Sequence, residues 1–79
     1  MVDENKKFYS DDVIKELVEY RKKHKITQQN VAEKSGIMRS NIARLESMKS
    51  EPSMDILSRY ANALGMDIKI SLVKKKHKG

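Results

Sequence analysis

The sequence of 79 residues contains no cysteine and no tryptophan. Without thiols the chain has no disulfide, no cysteine nucleophile and no thiolate metal ligand, a composition compatible with a reducing cytoplasm. Its three glycines are scattered along the chain, so a glycine-rich phosphate loop is absent. No apolar run is long enough for a signal peptide or a membrane span. We therefore expect a cytoplasmic protein that does not contact membranes.

Catalytic groups are scarce as well. The two histidines, His24 and His77, lie in a cationic helix end and in the C-terminal tail, and neither has ligand spacing to another histidine or to a carboxylate cluster. The carboxylates of Asp11, Asp12 and Asp55 are explained by helix starts, where negative charge is favourable. We expect no enzymatic activity, no metal site and no cofactor.

Positive charge is abundant by contrast. Seventeen lysines and arginines against eleven aspartates and glutamates give a formal net charge of +6 and a pI near 9.7. This balance favours a polyanionic partner, although basic small domains are common. A chain of this length makes one domain with a small core, which leaves no room for a deep substrate cavity and which oligomerisation would stabilise.

Residues 27–46, TQQNVAEKSGIMRSNIARLE, predict two short helices joined by a sharp turn. Thr27 is a suitable N-cap for the first helix, because its hydroxyl can accept a hydrogen bond from a free backbone N–H group. Gly36 can adopt the left-handed conformation that ends a helix and reverses the chain. The second helix then begins near Met38.

The second of these helices has two different faces. At about 100° per residue, Ile42 and Leu45 fall on one apolar stripe, while small and hydrogen-bonding side chains lie opposite. Such a polar face suits the major groove of DNA, where arginine can bond guanine bidentately. A solvated face of a small helical domain explains the same pattern. The side chains concerned are Arg39, Ser40, Ala43, Arg44 and Ser47.

Two further helices flank this pair. We expect the first helix to start with Ser10 as its cap, and the last to start with Ser53 as its cap and to end at Gly65. Met54 is expected to fill the core. The predicted buried positions, at three- and four-residue spacing, are Val13, Ile14, Leu17, Val18, Tyr20, Ile56, Leu57, Tyr60, Ala61 and Leu64.

Residues 66–73, MDIKISLV, alternate apolar and polar side chains and predict a half-buried β-strand. A single strand cannot satisfy its backbone, and the only candidate partner within the chain is the segment 6–9. Pairing with the same strand of a second copy is more economical, and it would place Ile68, Ile70 and Leu72 in a dimer interface. The expected organisation is an N-terminal arm (1–9), a helix-turn-helix domain (10–65), a dimerising strand (66–73) and a basic tail (74–79).

Seven short motifs between Val13 and Gly65 together form a specific pattern. They are Tyr20 to Lys23, Ile26 to Gln28, Val31-Ala32, Gly36, Ile42 to Glu46, Pro52-Ser53 and Tyr60 to Gly65. This pattern resembles the Cro and phage-repressor type of helix-turn-helix, also called the XRE-like family. The resemblance implies an all-α, lambda-repressor-like domain of four to five helices, here followed by a β-strand, that binds double-stranded DNA.

The resemblance also implies roles for individual side chains. Gln28, at the entry of the second helix, would contact phosphate or a base edge. Arg21 and Glu46 would form a partly buried salt bridge between the first helix and the recognition helix. The implied base readers are Arg39, Ser40 and Arg44, and the implied contacts to the DNA backbone are Asn41 and Lys49.

Two positions depart from the family pattern. Met38 occupies the place of the usual serine or threonine cap, so the recognition helix must be capped from elsewhere or fray at its first turn. Ser47 and Met48 replace the usual Asn-Gly after Glu46, which leaves the geometry of that turn open.

A helix-turn-helix followed directly by a strand is similar in layout to bacterial antitoxins of the HipB type and to HigA-like regulators. The expected function is a nucleoid-associated dimeric repressor of a palindromic operator, and in its finer form the autoregulating antitoxin of a cognate toxin. The alternative is a protein-interaction module with a helix-turn-helix fold that does not read DNA.

Overall fold

The computed structural model describes the backbone of residues 8–69 and the side chains of residues 11–69. This part of the chain forms four α-helices and confirms the expected all-α class. The helices are α1 (Phe8–Lys23), α2 (Gln28–Ser35), α3 (Arg39–Glu46) and α4 (Met54–Ala63).

The helix-turn-helix unit, α2 and α3, begins and turns where the sequence predicts. The Thr27 hydroxyl accepts a hydrogen bond of 3.0 Å from the backbone N–H of Asn30, and the Asn30 side chain accepts one of 3.2 Å from the backbone N–H of Thr27. This reciprocal capping box satisfies two donors at the start of α2. Gly36 follows α2 with φ +80°, the left-handed conformation that only glycine adopts without strain.

The start of α1 differs from the prediction. The helix already includes Phe8 and Tyr9, so Ser10 lies inside it and does not serve as its N-cap. A serine followed by two aspartates has the composition of a helix start, but composition alone does not place the first turn. The difference also affects the C-terminal strand, because half of the segment 6–9, its candidate partner within the chain, is helical.

The core lies where α2 packs against α3 and α4, and where α1 packs against the same two helices. The predicted stripes of α1, α3 and α4 supply most of it, although Val13, Val18, Tyr20 and Ile56 are only half-buried. Met54 is 47% exposed and does not fill the core, because it lies in the first turn of α4, outside the buried stripe. The buried apolar residues are Ile14, Leu17, Val31, Ile37, Ile42, Leu45, Leu57, Tyr60, Ala61 and Leu64.

The chain leaves α4 through Gly65, which has φ +85°. The backbone N–H of Met66 then donates to the carbonyl of Ala61 at 2.9 Å, and Ile68 packs against the edge of the core. Residues 66–69 form neither helix nor strand. The rest of the predicted strand, including Ile70 and Leu72, lies outside the described residues, so the strand stays a prediction.

Candidate nucleic-acid interface

Helix α3 separates an apolar inner face from a polar outer face. Ile42 and Leu45 are buried in the core, as predicted. The side chains between and beside them are exposed, and they are short or carry hydrogen-bonding groups. A helix with such a face can enter the major groove without having to bury bulky apolar groups there. The exposed residues are Arg39, Ser40, Asn41, Ala43 and Arg44.

The start of α3 lacks a side-chain cap. Met38 occupies the N-cap position, its side chain makes no capping hydrogen bond, and it is 68% exposed. Its carbonyl accepts the first hydrogen bonds of the helix, from the backbone N–H groups of Asn41 and Ile42 at 2.9 and 3.1 Å. Among the described residues no side chain caps the first N–H groups of α3, so these groups are available to an outside acceptor such as a phosphate oxygen.

The end of α3 shows how the unusual Ser47-Met48 pair is accommodated. The Ser47 hydroxyl donates to the carbonyl of Arg44 at 2.7 Å, which satisfies one of the carbonyls left free at the helix end. Met48 adopts a left-handed backbone conformation with φ +59°. Residues other than glycine and asparagine enter this region at an energetic cost. The turn keeps the glycine-like geometry although methionine occupies it.

The last residue of α3 connects the recognition helix to α1. The guanidinium of Arg21 donates two hydrogen bonds to the Glu46 carboxylate, from Nε to Oε2 at 2.8 Å and from Nη2 to Oε1 at 2.9 Å. The two side chains are only 10% and 9% exposed. The third nitrogen of Arg21, Nη1, donates to the carbonyl of Ile26 at 2.8 Å. This geometry is the bidentate pair that arginine forms and lysine cannot.

Two further donors converge on the same carboxylate. Nε2 of Gln28 donates to Oε1 of Glu46 at 3.0 Å, and the hydroxyl of Tyr60 donates to Oε2 at 2.5 Å. One carboxylate therefore accepts four hydrogen bonds from side chains on α1, α2 and α4. We call Arg21, Gln28, Glu46 and Tyr60 the Glu46 network. It orients the recognition helix against all three other helices.

The Glu46 network shifts the ionisation of its members. Burial raises the pKa of Glu46, but the hydrogen bonds from Arg21, Tyr60 and Gln28 outweigh it and hold that pKa below its ordinary value. Burial and the hydrogen bond to Glu46 raise the pKa of Tyr60 above its ordinary value. At neutral pH the network thus contains a carboxylate, a guanidinium and a neutral phenol.

The lowered pKa of Glu46 predicts a loss of stability in acid. The contribution of the carboxylate is complete above the pKa of the unfolded chain, about 4.3, and is lost as pH falls through the lower folded value. Denaturant unfolding in steps from pH 7 to pH 3 should show this loss, and Glu46→Gln should flatten it. Asp55→Asn is the control, since Asp55 is exposed and forms an ion pair with Arg59 on its own helix. Equal acid slopes for both variants would contradict the prediction.

The structure places the predicted contact residues in two environments. Gln28 is half-buried and bound to Glu46. The other five are exposed and free to reach a ligand, and they are Arg39, Ser40, Asn41, Arg44 and Lys49.

The sequence interpretation missed Tyr60 and Gln28 as partners of Glu46. A buried tyrosine needs a partner for its hydroxyl, and this need was the available signal for Tyr60.

Comparison with known proteins agrees with this geometry. A helix-turn-helix family model matches residues 17–70, more than half of the chain. The chain belongs to the Cro and phage-repressor type, XRE-like helix-turn-helix family, and it is a DNA-binding helix-turn-helix regulator. Members of this family bind double-stranded DNA and are generally not enzymes. No curated protein and no solved structure matches the chain.

Two further properties concern only the part of the chain that the structure describes. None of its helices is both long and apolar enough to cross a membrane. Within the same residues, no group of three or more histidine and acidic side chains could hold a metal ion.

Proposed function

We propose that the chain is a dimeric transcriptional repressor that reads a palindromic operator with α3. The observation that carries this proposal is the polar, exposed face of α3, held in place by the Glu46 network at one end of the helix. A recognition helix needs a fixed orientation, because base edges are read by hydrogen bonds of narrow geometry. The network supplies that orientation from three neighbouring helices.

The proposed contacts divide into base readers and backbone contacts. Arg39, Ser40 and Arg44 read base edges, because they lie on the exposed face of α3 and can donate hydrogen bonds in the major groove. Asn41, on the same helix, and Lys49, just beyond it, contact phosphates. These contacts give the domain both its affinity and its sequence preference.

Gln28 can contribute to DNA binding through its side-chain amide, whose orientation is fixed by the hydrogen bond to Glu46. The Glu46 carboxylate can only accept hydrogen bonds, so the amide nitrogen of Gln28 faces it. One N–H then remains for a phosphate oxygen, and the carbonyl oxygen remains for the amino group of a base. Gln28 is therefore a candidate for either contact, in an orientation set by Glu46.

A dimer is proposed because one domain of this size contacts only a short half-site. Two-fold related domains of this class engage half-sites about one helical turn apart, roughly 34–36 Å, which matches a palindromic operator. Repression follows if the operator overlaps a promoter. The predicted strand with Ile68, Ile70 and Leu72 provides the dimer contact.

The finer proposal is that the chain is the antitoxin of a toxin–antitoxin pair, which represses its own promoter and binds a cognate toxin. Its support is the layout, in which the helix-turn-helix is followed directly by the predicted strand 66–73. A gene for a toxin-like protein beside that of this chain, and co-purification of the two products, are the expected observations. Without such a neighbour the simpler repressor assignment stands.

Selection of bound sequences from random duplex DNA tests the function. We expect an enriched palindrome with the full chain and a shorter, weaker motif with a chain that lacks residues 66–79. A chain that enriches no sequence would support the alternative, a protein-interaction module that does not read DNA. Selection at two salt concentrations separates base reading from binding driven by charge alone.

Arg44→Ala should flatten the base preference at particular positions of each half-site. Loss of a bidentate contact costs about 1–3 kcal/mol of discrimination against the wrong base. Binding to single-substitution operator variants measures it. The matched control is Arg59→Ala, which removes the same charge from the exposed face of α4, where Arg59 pairs with Asp55 at 3.2 Å. Affinity lost evenly over all sequences would show that Arg44 contacts only the backbone.

A further inference from the structure

Met38 is the most exposed large apolar side chain in the part of the chain that the structure describes. It is 68% exposed, against 37% for Met48 and 47% for Met54. Among the described residues it belongs neither to the core nor to the apolar side chains that pack against the core. Single exposed apolar residues are common on protein surfaces, so exposure alone assigns no role to Met38. What distinguishes Met38 is its position at the start of the recognition helix.

Met38 occupies an N-cap position that α2 and α4 give to a hydroxyl group. The backbone N–H of Asn30 donates to the Thr27 hydroxyl at the start of α2, and that of Ile56 donates to the Ser53 hydroxyl at the start of α4. Met38 makes no such bond, although loss of a capping hydroxyl destabilises a helix. Among the three helix starts that the structure describes, α3 alone lacks this cap. Positions where a chain breaks a local rule that it follows elsewhere are typical of functional sites.

The backbone conformation explains why Met38 is exposed. Counted as a helical residue, Met38 would lie on the same stripe as Ile42 and Leu45, which are four and seven positions further along the chain. Instead it has φ −64° and ψ 141°, an extended conformation. Successive side chains of an extended segment point to opposite sides, and the preceding Ile37 is the buried one, with 5% exposure. Met38 is therefore turned away from the core, next to the exposed Arg39.

A side chain at this position meets base edges when α3 enters the major groove, because the first residues of a recognition helix contact the bases. Methionine has no hydrogen-bond donor and only a weak acceptor, so Met38 is unsuited to the polar groups of the bases. Its unbranched side chain has three rotatable bonds and a polarisable thioether, and it adapts to apolar surfaces. The major groove presents one apolar group, the C5-methyl group of thymine.

We propose that Met38 is a specificity-determining residue that reads the C5-methyl group of a thymine, beside the base pair contacted by Arg39. This proposal rests on the operator binding proposed above and adds one base preference to it. Arg39, Ser40 and Arg44 read hydrogen-bonding groups, whereas Met38 reads a methyl group by apolar contact. The α3 helix thereby has a base contact at the position where α2 and α4 have a cap.

Replacement of thymine by uracil in the operator tests this contact, because uracil lacks only the C5-methyl group and keeps the hydrogen-bonding groups of thymine. The probe is the palindrome selected from random duplex DNA with the full chain. Each thymine is replaced in turn, at the same position of both half-sites. At one position we expect the wild-type chain to lose affinity about 15-fold, because each buried methyl group contributes roughly fourfold.

Met38→Ser separates base reading from folding. The serine hydroxyl can cap α3 as Ser53 caps α4, so this variant should unfold at a higher denaturant concentration than the wild type. At the sensitive position, however, it should bind the thymine and uracil operators with about equal affinity. A more stable variant with a weaker base preference is the result that a merely structural residue would not give.

Two further variants serve as controls. Met38→Leu keeps an apolar side chain of similar volume and should retain most of the preference for thymine over uracil. Met54→Ser removes an exposed methionine from the first turn of α4, outside the face of α3, and should retain all of it.

The outcomes separate this contact from the proposed function. A folded Met38→Ser variant that keeps the wild-type preference at every thymine would overturn the proposal. Equal weakening of thymine and uracil operators by that substitution would also overturn it, since Met38 would then contact only the DNA backbone. Both results leave the proposed function intact, because an operator has been selected and bound. Failure of the full chain to select any operator would overturn the proposed function and the methyl contact together.

Discussion

Replacing Glu46 with glutamine is expected to cost roughly 3–5 kcal/mol of the free energy of unfolding, because it leaves the guanidinium of Arg21 buried without its counter-charge. Both side chains are about nine-tenths buried, so solvent cannot take over the role of the carboxylate. The substitution also turns an acceptor of four hydrogen bonds into a group that must donate on one side. A domain this small has a total stability of only about 5–15 kcal/mol, so the substitution should remove a large share of the stability and lower the denaturant midpoint strongly.

Denaturant unfolding of a mutant cycle measures this effect. Glu46→Gln, Arg21→Met and the double variant should be strongly non-additive, with the double variant more stable than the sum of the two single losses implies. Arg21→Lys should also be harmful, since lysine cannot form the bidentate pair or bond the Ile26 carbonyl at the same time. Independent losses below about 1 kcal/mol, the value for exposed pairs, would contradict the prediction.

Tyr60→Phe separates the hydrogen bond of the hydroxyl from the packing of the ring. Tyr60 is completely buried, and the phenylalanine ring fills the same space. The variant should lose about 1.5–3 kcal/mol, as for a hydrogen bond to a charged group, and it should remain folded. Operator affinity of this folded variant then reports how far the orientation of α3 depends on the contact with α4.

Deleting residues 66–79 should convert the dimer to a monomer and weaken operator binding by about 10²–10⁴-fold, because the second half-site is no longer bound as part of the same molecule. Half-site contacts themselves are kept, so the sequence preference within a half-site should survive. Analytical ultracentrifugation measures the assembly, and titration of labelled operator measures the affinity.

The control for this deletion is removal of residues 74–79 alone. That variant keeps the predicted strand and should remain dimeric, with an affinity loss no larger than the removal of four lysines from the tail explains. Circular dichroism of both variants checks that the helices persist, since Ile68 packs against the core. An intact dimer after the longer deletion would move the interface to α4 and its neighbours.

Local features of the sequence were sufficient for the helix-turn-helix unit. Thr27, Gly36 and the stripe of Ile42 and Leu45 act through hydrogen bonds, backbone conformation and periodicity within a few residues of each other. Ser53 likewise caps α4 by accepting from the backbone N–H of Ile56 at 3.2 Å. These features are readable because the groups that interact are neighbours in the sequence.

Two expectations that were drawn from a single residue type were wrong. Ser10 has the chemistry of a cap but lies within α1, because a helix continues as long as its backbone bonds do, whatever caps lie along it. Met54 has the hydrophobicity of a core residue but lies on the exposed side of the first turn of α4. In both cases the outcome depends on where the helix starts and packs, which a single residue type does not specify.

The sequence by itself determined the family, the four helices, the apolar stripes and the identity of the exposed side chains on α3, since each depends on local chemistry or on a pattern of motifs along the chain. Only the tertiary structure decided that Gln28 and Tyr60 share the carboxylate of Glu46, because these residues lie 18 and 14 positions away from it in the sequence. It also decided that the α1 stripe leaves an open groove beside Ile68. Contacts between distant residues arise from how helices pack, and packing depends on the shapes of all the faces at once.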